Sequence, residues 1–175
     1  MKKLLKFSTY LVIMFALIIF FLPKVNAYYL LENLVKEKHF YLTDEDAKDS
    51  GFSLDIHNTR VFLDELFLAE AKYITLNPWV IYNSIEVENI KLNEGFSAFM
   101  PGHIENLKAE YVFYQPTHIS LKGKSKKDSF IGDVDLLERK VVIHLHLDFK
   151  SEKRFATALK QLKKEEGAYI YEYKF

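Results

Sequence analysis

Residues 130–148 read FIGDVDLLERKVVIHLHLD, and they contain two runs in which apolar and polar residues alternate. The apolar positions are Phe130, Gly132, Val134 and Leu136 in the first run and Val141, Ile143, Leu145 and Leu147 in the second. A period of two is typical of a strand that buries one face. The stretch therefore predicts two antiparallel strands joined by a turn at Glu138–Arg139.

The same alternation extends over most of the chain on both sides of this hairpin. Its apolar positions are Phe52, Leu54 and Ile56; Phe67, Ala69, Ala71 and Tyr73; Ile85, Val87, Ile90 and Leu92; Leu107, Ala109, Tyr111 and Phe113; Ile119 and Leu121; and Tyr169, Tyr171, Tyr173 and Phe175. Asp64–Glu65 and Gly123–Asp128 predict turns, and Asn89 predicts a strand interruption. The predicted fold class is mainly β, with a curved antiparallel sheet of roughly seven or eight strands.

Two short amphipathic helices are predicted to cover this sheet. The first is Tyr28–Lys38, and its apolar face consists of Leu30, Leu31, Leu34 and Val35. The second begins at Ser151 as the N-cap, runs to Lys164 and ends before Gly167. Its apolar face consists of Phe155, Ala158, Leu159 and Leu162. Because this apolar face has helical spacing, we expect the second helix to pack on the face of the sheet that contains Val141, Ile143, Leu145 and Leu147.

The N-terminus has the pattern of a membrane-directed segment. Lys2, Lys3 and Lys6 precede the apolar stretch Phe7–Leu22. The lysines predict that residue 1 lies in the cytoplasm. The stretch is either a retained transmembrane anchor or a signal peptide, since Val25–Ala27 offers the small-residue pattern of a cleavage site after Ala27. We favour the anchor, because the uncharged stretch is long and a helix is predicted to follow it.

The favoured interpretation divides the chain into a membrane anchor, residues 1–27, and a β-rich domain, residues 28–175. It predicts a single-pass protein of the bacterial inner membrane whose C-terminal domain lies in the periplasm. Residues 1–27 carry four lysines and no acidic residue, so residues 28–175 have 20 basic and 24 acidic residues and a net charge of −4. A mildly acidic domain offers no polybasic surface for anionic lipid.

Composition excludes several kinds of protein. Lys and Arg together number 24, as do Asp and Glu, so the chain lacks the basic excess that is typical of nucleic-acid-binding proteins. It contains no cysteine, which excludes a disulfide framework, a zinc ribbon and a thiol nucleophile. Hydrophobic residues make up 49% of the chain, which is enough to build a packed core.

Few polar residues have the spacing of a catalytic or metal site. His144, His146 and Asp148 are predicted on one face of a strand, where they could ligate a metal or simply face solvent. The segment with Asp44, Glu45, Asp46 and Asp49 lacks the pattern of a calcium loop and predicts an acidic, solvated turn. His39, His57, His103 and His118 are scattered and are predicted to be surface or hydrogen-bonded groups. We therefore predict no enzyme, no cofactor, and no catalytic or metal-binding residues.

The order of these segments resembles a known family. The apolar segment ends in Phe-Leu-Pro at residues 21–23, and residues 51–62 read GFSLDIHNTRVF. Residues 69–78 read AEAKYITLNP, and residues 132–143 read GDVDLLERKVVI. In this order they resemble type II secretion system protein N and, more distantly, AsmA-like periplasmic proteins. The resemblance implies an inner-membrane anchor, a periplasmic β-rich domain whose curved sheet has an apolar inner face, and no catalysis.

Two functional hypotheses follow from the sequence. The first is a non-enzymatic, membrane-anchored protein that acts as a structural, docking or apolar-ligand-binding component of an envelope assembly. The alternative is a secreted or periplasmic module released by cleavage after Ala27, either a binding module or a metal-dependent one whose candidate ligands are His144 and His146. Because two short helices cannot cover the whole apolar face, we expect a lipid, a protein partner or a second copy to cover the rest. The expected lining is Tyr111, Phe113, Tyr169, Tyr171, Tyr173 and Phe175.

Overall fold

The structure is a computed structural model that describes residues 2–36, 39–43, 46–79, 81–96 and 101–175. In these ranges the helices are α1 Lys2–Phe21, α2 Lys24–Lys36, α3 Phe149–Arg154 and α4 Ala156–Leu159, with a 3-10 turn at Glu94–Phe96. The strands are β1 Phe40–Thr43, β2 Asp46–Asp49, β3 Leu54–Leu63, β4 Leu66–Pro78, β5 Tyr82–Leu92, β6 His103–Val112, β7 His118–Ser125, β8 Asp128–Asp135, β9 Lys140–His146, β10 Lys163–Glu165 and β11 Ala168–Lys174.

All eleven described strands belong to one open antiparallel sheet. Its order is β1-β3-β4-β5-β6-β7-β8-β9-β11-β10, and β2 also pairs with β3. Strands β3 to β9 follow one another across the sheet as an up-and-down meander, while α3, α4 and β10 intervene before β11 returns beside β9. The predicted fold class is confirmed. The strands that the sequence did not predict are the short edge strands β1, β2 and β10.

The alternation of buried residues shifts midway along the first long strands. In β3 the buried side chains are those of Leu54, Ile56 and Thr59, so their spacing changes at Asn58. Asn58 has a φ of 55° and Asn89 has a φ of 54°, and the register places both in one row across β3, β4 and β5. Asparagine tolerates this left-handed conformation better than most residues. The shift keeps apolar side chains on one face of the sheet on both sides of the row.

Our prediction that Tyr73 shares a face with Phe67, Ala69 and Ala71 is wrong. Ala71 is 3% exposed, whereas Tyr73 is 38% exposed and lies edge-on to the His57 ring, with the ring centroids 5.2 Å apart. The cause is the shifted row, which lies between Ala71 and Tyr73. Beyond it, Ile74 and Leu76 take the inward positions of β4 and pack against the buried cluster described next.

A buried cluster attaches α2 to the apolar face at the β3 edge. Tyr28, Leu54 and Ile56 form its centre. Partly buried residues around it are Val25, Leu42, Ala47, Ile74 and Leu76. Leu54 and Ile56 are each 1% exposed, as their predicted inward positions require. The cluster therefore contains side chains from α2 and from the first four strands.

The boundaries and face of α2 differ from the prediction. The helix begins at Lys24, directly after Pro23, which is a favoured residue at a helix start. Residues 24–27, which we assigned to the anchor, therefore form its first turn. Leu30 is 67% exposed and is not a packing residue, while Tyr28 is 8% exposed and packs in its place. Residues 37–38 and the side chains of Leu31, Leu34 and Val35 lie outside the described part of the chain.

A buried lysine links α1, α2 and β2. The side chain of Lys24 is 2% exposed, and its Nζ donates to Asp49 Oδ1 at 3.1 Å. It also donates to the carbonyls of Phe20 at 3.4 Å and Leu22 at 3.3 Å, at the C-terminus of α1. The hydrogen bond from Gly51 N–H, and then that from Lys24, lowers the pKa of the Asp49 carboxyl. The junction between α1 and α2 is therefore held to β2 by a charged pair.

The acidic segment after β1 is not the solvated turn that we predicted. Asp46–Asp49 is β2, and it pairs with Leu54–His57 of β3. Ala47 faces the buried cluster, and Asp49 binds Lys24. The main-chain hydrogen bonds to β3 and these two side-chain contacts explain why the segment forms a strand. Asp44 and Glu45 lie outside the described residues.

The predicted helix Ser151–Lys164 is also incorrect in detail. Asp148 is the N-cap of α3, with its carboxylate accepting a hydrogen bond from Ser151 N, and α4 ends at Leu159. Lys163–Glu165 then forms β10, which pairs with β11. Glu166 and Gly167 join the two strands with φ values of 51° and 85°. Positive φ at both central residues is typical of a tight hairpin turn, so Gly167 ends a turn and not a helix.

Helix α1 is long and apolar enough to cross a membrane. Its 20 residues span about 30 Å, which is the thickness of the hydrocarbon core of a bilayer. All its side chains from Lys2 to Phe15 are exposed, and Ile19 near its end is 6% exposed. Only the C-terminal part of α1 therefore contacts the rest of the chain.

The polar face of the sheet contains a cross-strand network around Glu110. This carboxylate accepts a hydrogen bond from Tyr82 Oη at 2.7 Å and binds Lys122 Nζ at 3.0 Å and Lys108 Nζ at 3.1 Å. The Tyr82 hydroxyl, followed by Lys122 and Lys108, lowers the pKa of Glu110 to about 2. The ionised carboxylate thus stabilises the pairing of β5, β6 and β7.

Replacing Glu110 by Gln should lower the free energy of unfolding by about 1 to 2 kcal/mol at pH 7, because it removes the charge that three donors bind. A depressed carboxyl pKa stabilises the fold above the unfolded value of 4.5, and this contribution disappears as the pH falls towards about 2. Urea unfolding at several pH values should show wild type and variant converging below pH 4.5. Glu88→Gln, at an exposed position of β5, should behave like wild type; a Glu110→Gln loss that is constant with pH would contradict the account.

Candidate ligand-binding groove

The apolar face is covered near its two edges and open between them. Two rows of this face run across the sheet, one through Leu76, Ile85, Ala109, Leu121, Gly132, Ile143 and Tyr171, the other through Ile74, Val87, Leu107, Gly123, Phe130, Leu145 and Tyr169. Helix α2 packs at the β3–β4 edge, and α4 lies over the β8–β9 side. Ile85, between them, is 48% exposed.

An apolar groove of about 300 Å³ lies between α4 and the central strands. Its apolar lining consists of Ile104, Leu107, Phe130, Ile143, Leu145, Leu147, Phe155 and Leu159. Phe155 is 4% exposed and Leu159 is 6% exposed, so both side chains face the sheet. The prediction that they lie over Ile143, Leu145 and Leu147 is confirmed, whereas the predicted Val141 and Leu162 do not line the groove. A mostly apolar cavity of this size is at the lower end of the range for small-molecule sites.

Gly123 lets the Phe130 ring, which lines the groove, lie flat on the neighbouring strand. A Cβ atom at Gly123 would lie 2.0 Å from Cε1 of Phe130, which is too close for any side chain. The Phe130 ring therefore lies across Gly123, its cross-strand partner. Gly123 belongs to β7 and not to the predicted turn, which is limited to Lys126 and Lys127. A glycine inside an alternating strand is the sequence signal for such a close approach.

A polar cavity of about 430 Å³ adjoins one end of the groove. The two share Pro101, Ser125, Asp128 and Phe155. The charged lining of the polar cavity consists of Lys126, Lys127, Lys150, Arg154, Asp128 and Asp148, and His103 also lines it. We call this set the basic rim, because its four cationic side chains outnumber its two carboxylates.

Both carboxylates of the basic rim bind donors of the protein itself. Asp148 Oδ1 accepts from Ser151 N at 2.8 Å, and this bond lowers the pKa of the Asp148 carboxyl. Asp128 accepts from Asp148 N at 2.9 Å and from Ser151 Oγ at 2.6 Å. The Arg154 guanidinium lies 5.4 Å from the centre of the Phe155 ring, where the cation faces an aromatic side chain of the groove. The basic rim therefore has an excess of positive charge next to the apolar groove.

The aromatic residues that we expected to line the binding surface do not line the groove. Tyr173 lies one row further along the sheet, opposite Val141, and is 54% exposed. Phe113 and Phe175 follow the ends of their strands. The groove lies towards the end of the sheet where α3 begins, so the expected aromatic lining is not that of the groove, and its role as a partner or lipid surface stays a prediction.

The candidate metal ligands do not converge. His144 and His146 are exposed on β9, and the strand ends before Asp148, whose carboxylate caps α3. Throughout the described residues, no group of three or more His, Asp or Glu side chains is arranged to hold a metal ion. His144 faces the same side of the sheet as its cross-strand neighbours Ile131 and Ile170.

Two of the scattered histidines have acidic partners that sequence spacing did not reveal. His118 Nδ1 lies 2.8 Å from Asp133 Oδ2, and the hydrogen bond with Asp133 raises the pKa of His118. His39 Nδ1 lies 2.9 Å from Asp64 Oδ1. Both partners belong to neighbouring strands or turns, so only a strand register could have identified them. Both pairs are exposed and neither lines the groove.

No family model matches the chain, and neither a curated protein nor a solved structure is significantly similar to it. The resemblance to type II secretion system protein N and to AsmA-like proteins therefore stays a prediction. The functional argument depends on the groove, the basic rim and α1.

Proposed function

We propose that this protein is a non-enzymatic, membrane-anchored component of the bacterial envelope that binds an amphiphile with an acyl chain and an anionic headgroup. The acyl chain would occupy the groove between α4 and the central strands, and the headgroup would bind the basic rim. The supporting observation is that an apolar groove adjoins a cavity with excess positive charge and shares four lining residues with it. Apolar surface drives the burial of the chain, while charge selects the headgroup.

In this proposal α1 crosses the inner membrane and the sheet lies in the periplasm. The lysines before α1 support this orientation, because positively charged flanks remain in the cytoplasm. The structure also favours retention of α1 over cleavage after Ala27. Cleavage would remove Lys24 from Asp49 and Val25 from the buried cluster, and the domain would lose part of its own packing.

A fluorescence titration tests the groove. Because the chain contains no cysteine, a Leu147→Cys variant can be labelled with acrylodan at the edge of the groove. The full chain in lipid nanodiscs should show an emission shift when dodecanoate is added. Adding Leu145→Glu should weaken this binding by about ten-fold or more, since a carboxylate would lie in the acyl site.

His146→Glu is the matched control, because it introduces the same group on the opposite face of the same strand. It should leave the titration unchanged. A second pair of measurements tests the rim: Lys126→Glu together with Lys127→Glu should weaken dodecanoate binding and leave dodecanol binding unchanged. Equal titrations for Leu145→Glu and His146→Glu would contradict the proposed site.

A further inference from the structure

Large apolar side chains are exposed in the turns at one end of the sheet. They are Trp79, Ile81, Phe113, Tyr114, Leu137 and Phe175, and they are between 38% and 80% exposed. Single exposed apolar residues are common, but a set of six gathered at one end of a sheet indicates an interaction surface.

The strand register shows that these turns lie at the same end. Adjacent strands end at the cross-strand pairs Tyr82↔Val112, His118↔Asp135, Asp135↔Lys140 and Lys140↔Lys174. Neighbouring turns are also hydrogen-bonded to one another, from Phe113 N to Ile81 O at 3.0 Å and from Phe175 N to Arg139 O at 2.9 Å. The exposed side chains therefore lie together at one end of the sheet, from β4 to β11. We call this end the apolar end.

Helix α1 also ends at the apolar end of the sheet. The Phe20 ring contacts the Phe52 ring at 5.4 Å between centroids, and Phe52 stacks on Trp79 at 5.3 Å with an interplanar angle of 10°. The rest of α1 leads away from the domain, since its side chains from Lys2 to Phe15 are exposed. A membrane that α1 spans would therefore lie next to this end of the sheet.

The opposite end has a different chemistry. Its tight turns are Asp64–Glu65, Lys126–Lys127 and Glu166–Gly167. Two large apolar side chains near this end are also exposed, Leu66 at 53% and Phe149 at 69%, and the Lys153 ammonium lies 4.3 Å from the centre of the Phe149 ring. The apolar turns thus lie at the end next to α1, and the charged turns lie at the far end.

We propose that the turns after β4, β6 and β8, together with Phe175 after β11, insert their apolar side chains into the interfacial layer of the same bilayer that α1 crosses. Trp, Tyr and other large apolar side chains partition into this layer. The turn with Leu137 also contains Glu138 and Arg139, whose charges cancel, so insertion depends on apolar contact and not on anionic lipid. The sheet would then stand on the membrane, with the basic rim at its far end.

Tryptophan quenching in the full chain tests this surface. Trp79 is the single tryptophan, so Trp79→Phe leaves a background in which one new tryptophan reports one turn. In vesicles of phosphatidylcholine brominated on its acyl chains, Trp79→Phe with Leu137→Trp should lose about half of its emission relative to unbrominated vesicles. Leu137 is the informative position because β8 is four strands from β4, which adjoins α1 through Trp79.

Trp79→Phe with Lys127→Trp is the matched control, since Lys127 lies in the hairpin turn at the other end of β8, and its emission should not change. Circular dichroism checks that both variants fold. Unchanged emission for Leu137→Trp, while wild-type Trp79 is quenched, would overturn the docking proposal and leave the anchor intact. Unchanged emission for wild-type Trp79 as well would overturn both. Neither result depends on whether the groove binds an amphiphile.

Discussion

Replacing Asp49 by Asn should lower the free energy of unfolding by about 3 kcal/mol, because it leaves the buried ammonium of Lys24 without its counter-charge. The lysine side chain is only 2% exposed and cannot recover this interaction from water. Asparagine has almost the shape of aspartate and can still accept the 2.8 Å bond from Gly51 N. The decrease in the free energy of unfolding should therefore come from the missing charge and not from a change of side-chain shape. Urea unfolding of the full chain in detergent measures it.

A double-mutant cycle provides the control. Lys24→Met keeps the length of the side chain and removes its charge, so the loss for Lys24→Met with Asp49→Asn should be well below that for Asp49→Asn alone. Equal losses would show that the pair does not couple α1 and α2 to β2. Asp49 has a lowered pKa, so the contribution of the pair should be present near neutral pH and should disappear in acid, below the ordinary carboxyl pKa of 3.8.

Replacing Ile56 by Ala should lower the free energy of unfolding by about 2 to 5 kcal/mol, since a fully buried side chain is truncated and a cavity remains. Ile56 is 1% exposed and contributes to the cluster that attaches α2 to the sheet. The variant should also loosen α2. Hydrogen exchange should then increase first in Lys24–Lys36, ahead of the central strands.

Ile131→Ala is the matched control for Ile56→Ala. Ile131 is 54% exposed on the polar face of β8, so its truncation should change the free energy of unfolding by less than about 0.5 kcal/mol. Similar losses at the two positions would mean that the buried and exposed faces are assigned incorrectly.

The sequence predicts the long strands because alternation over seven or more residues has one simple explanation. Residues 130–147 show this, since their apolar positions face the groove side as predicted. The prediction of the buried face from alternation fails where a residue takes a left-handed backbone conformation, because the inward-facing positions shift there. Asn89 interrupts a visible pattern, but Asn58 lies in a stretch with no local sign of the shift. The face of Tyr73 was therefore assigned incorrectly.

Short elements were predicted less well, because local propensity competes with pairing. Lys163 and Lys164 directly follow the helical spacing of Phe155, Leu159 and Leu162, which predicts that the helix includes them, yet β11 offers them main-chain partners. The basic rim could not be predicted at all. Its members come from β6, the β7–β8 turn and α3, and only the strand register brings them together. The packing of Phe155 and Leu159 over β9 is predicted from spacing, but Gly123, a second signal for the groove, is assigned to a turn by its polar neighbours.

Native mass spectrometry tests the central claim most directly, namely that the groove binds an anionic amphiphile. The full chain is purified from bacterial membranes and transferred into nanodiscs, and the ions released from the protein are identified. Wild type and His146→Glu should both retain a molecule with an acyl chain and an anionic headgroup. Leu145→Glu should have lost it, because its carboxylate occupies the acyl site. An equal amount of bound amphiphile in all three proteins, or none in wild type, would contradict the account.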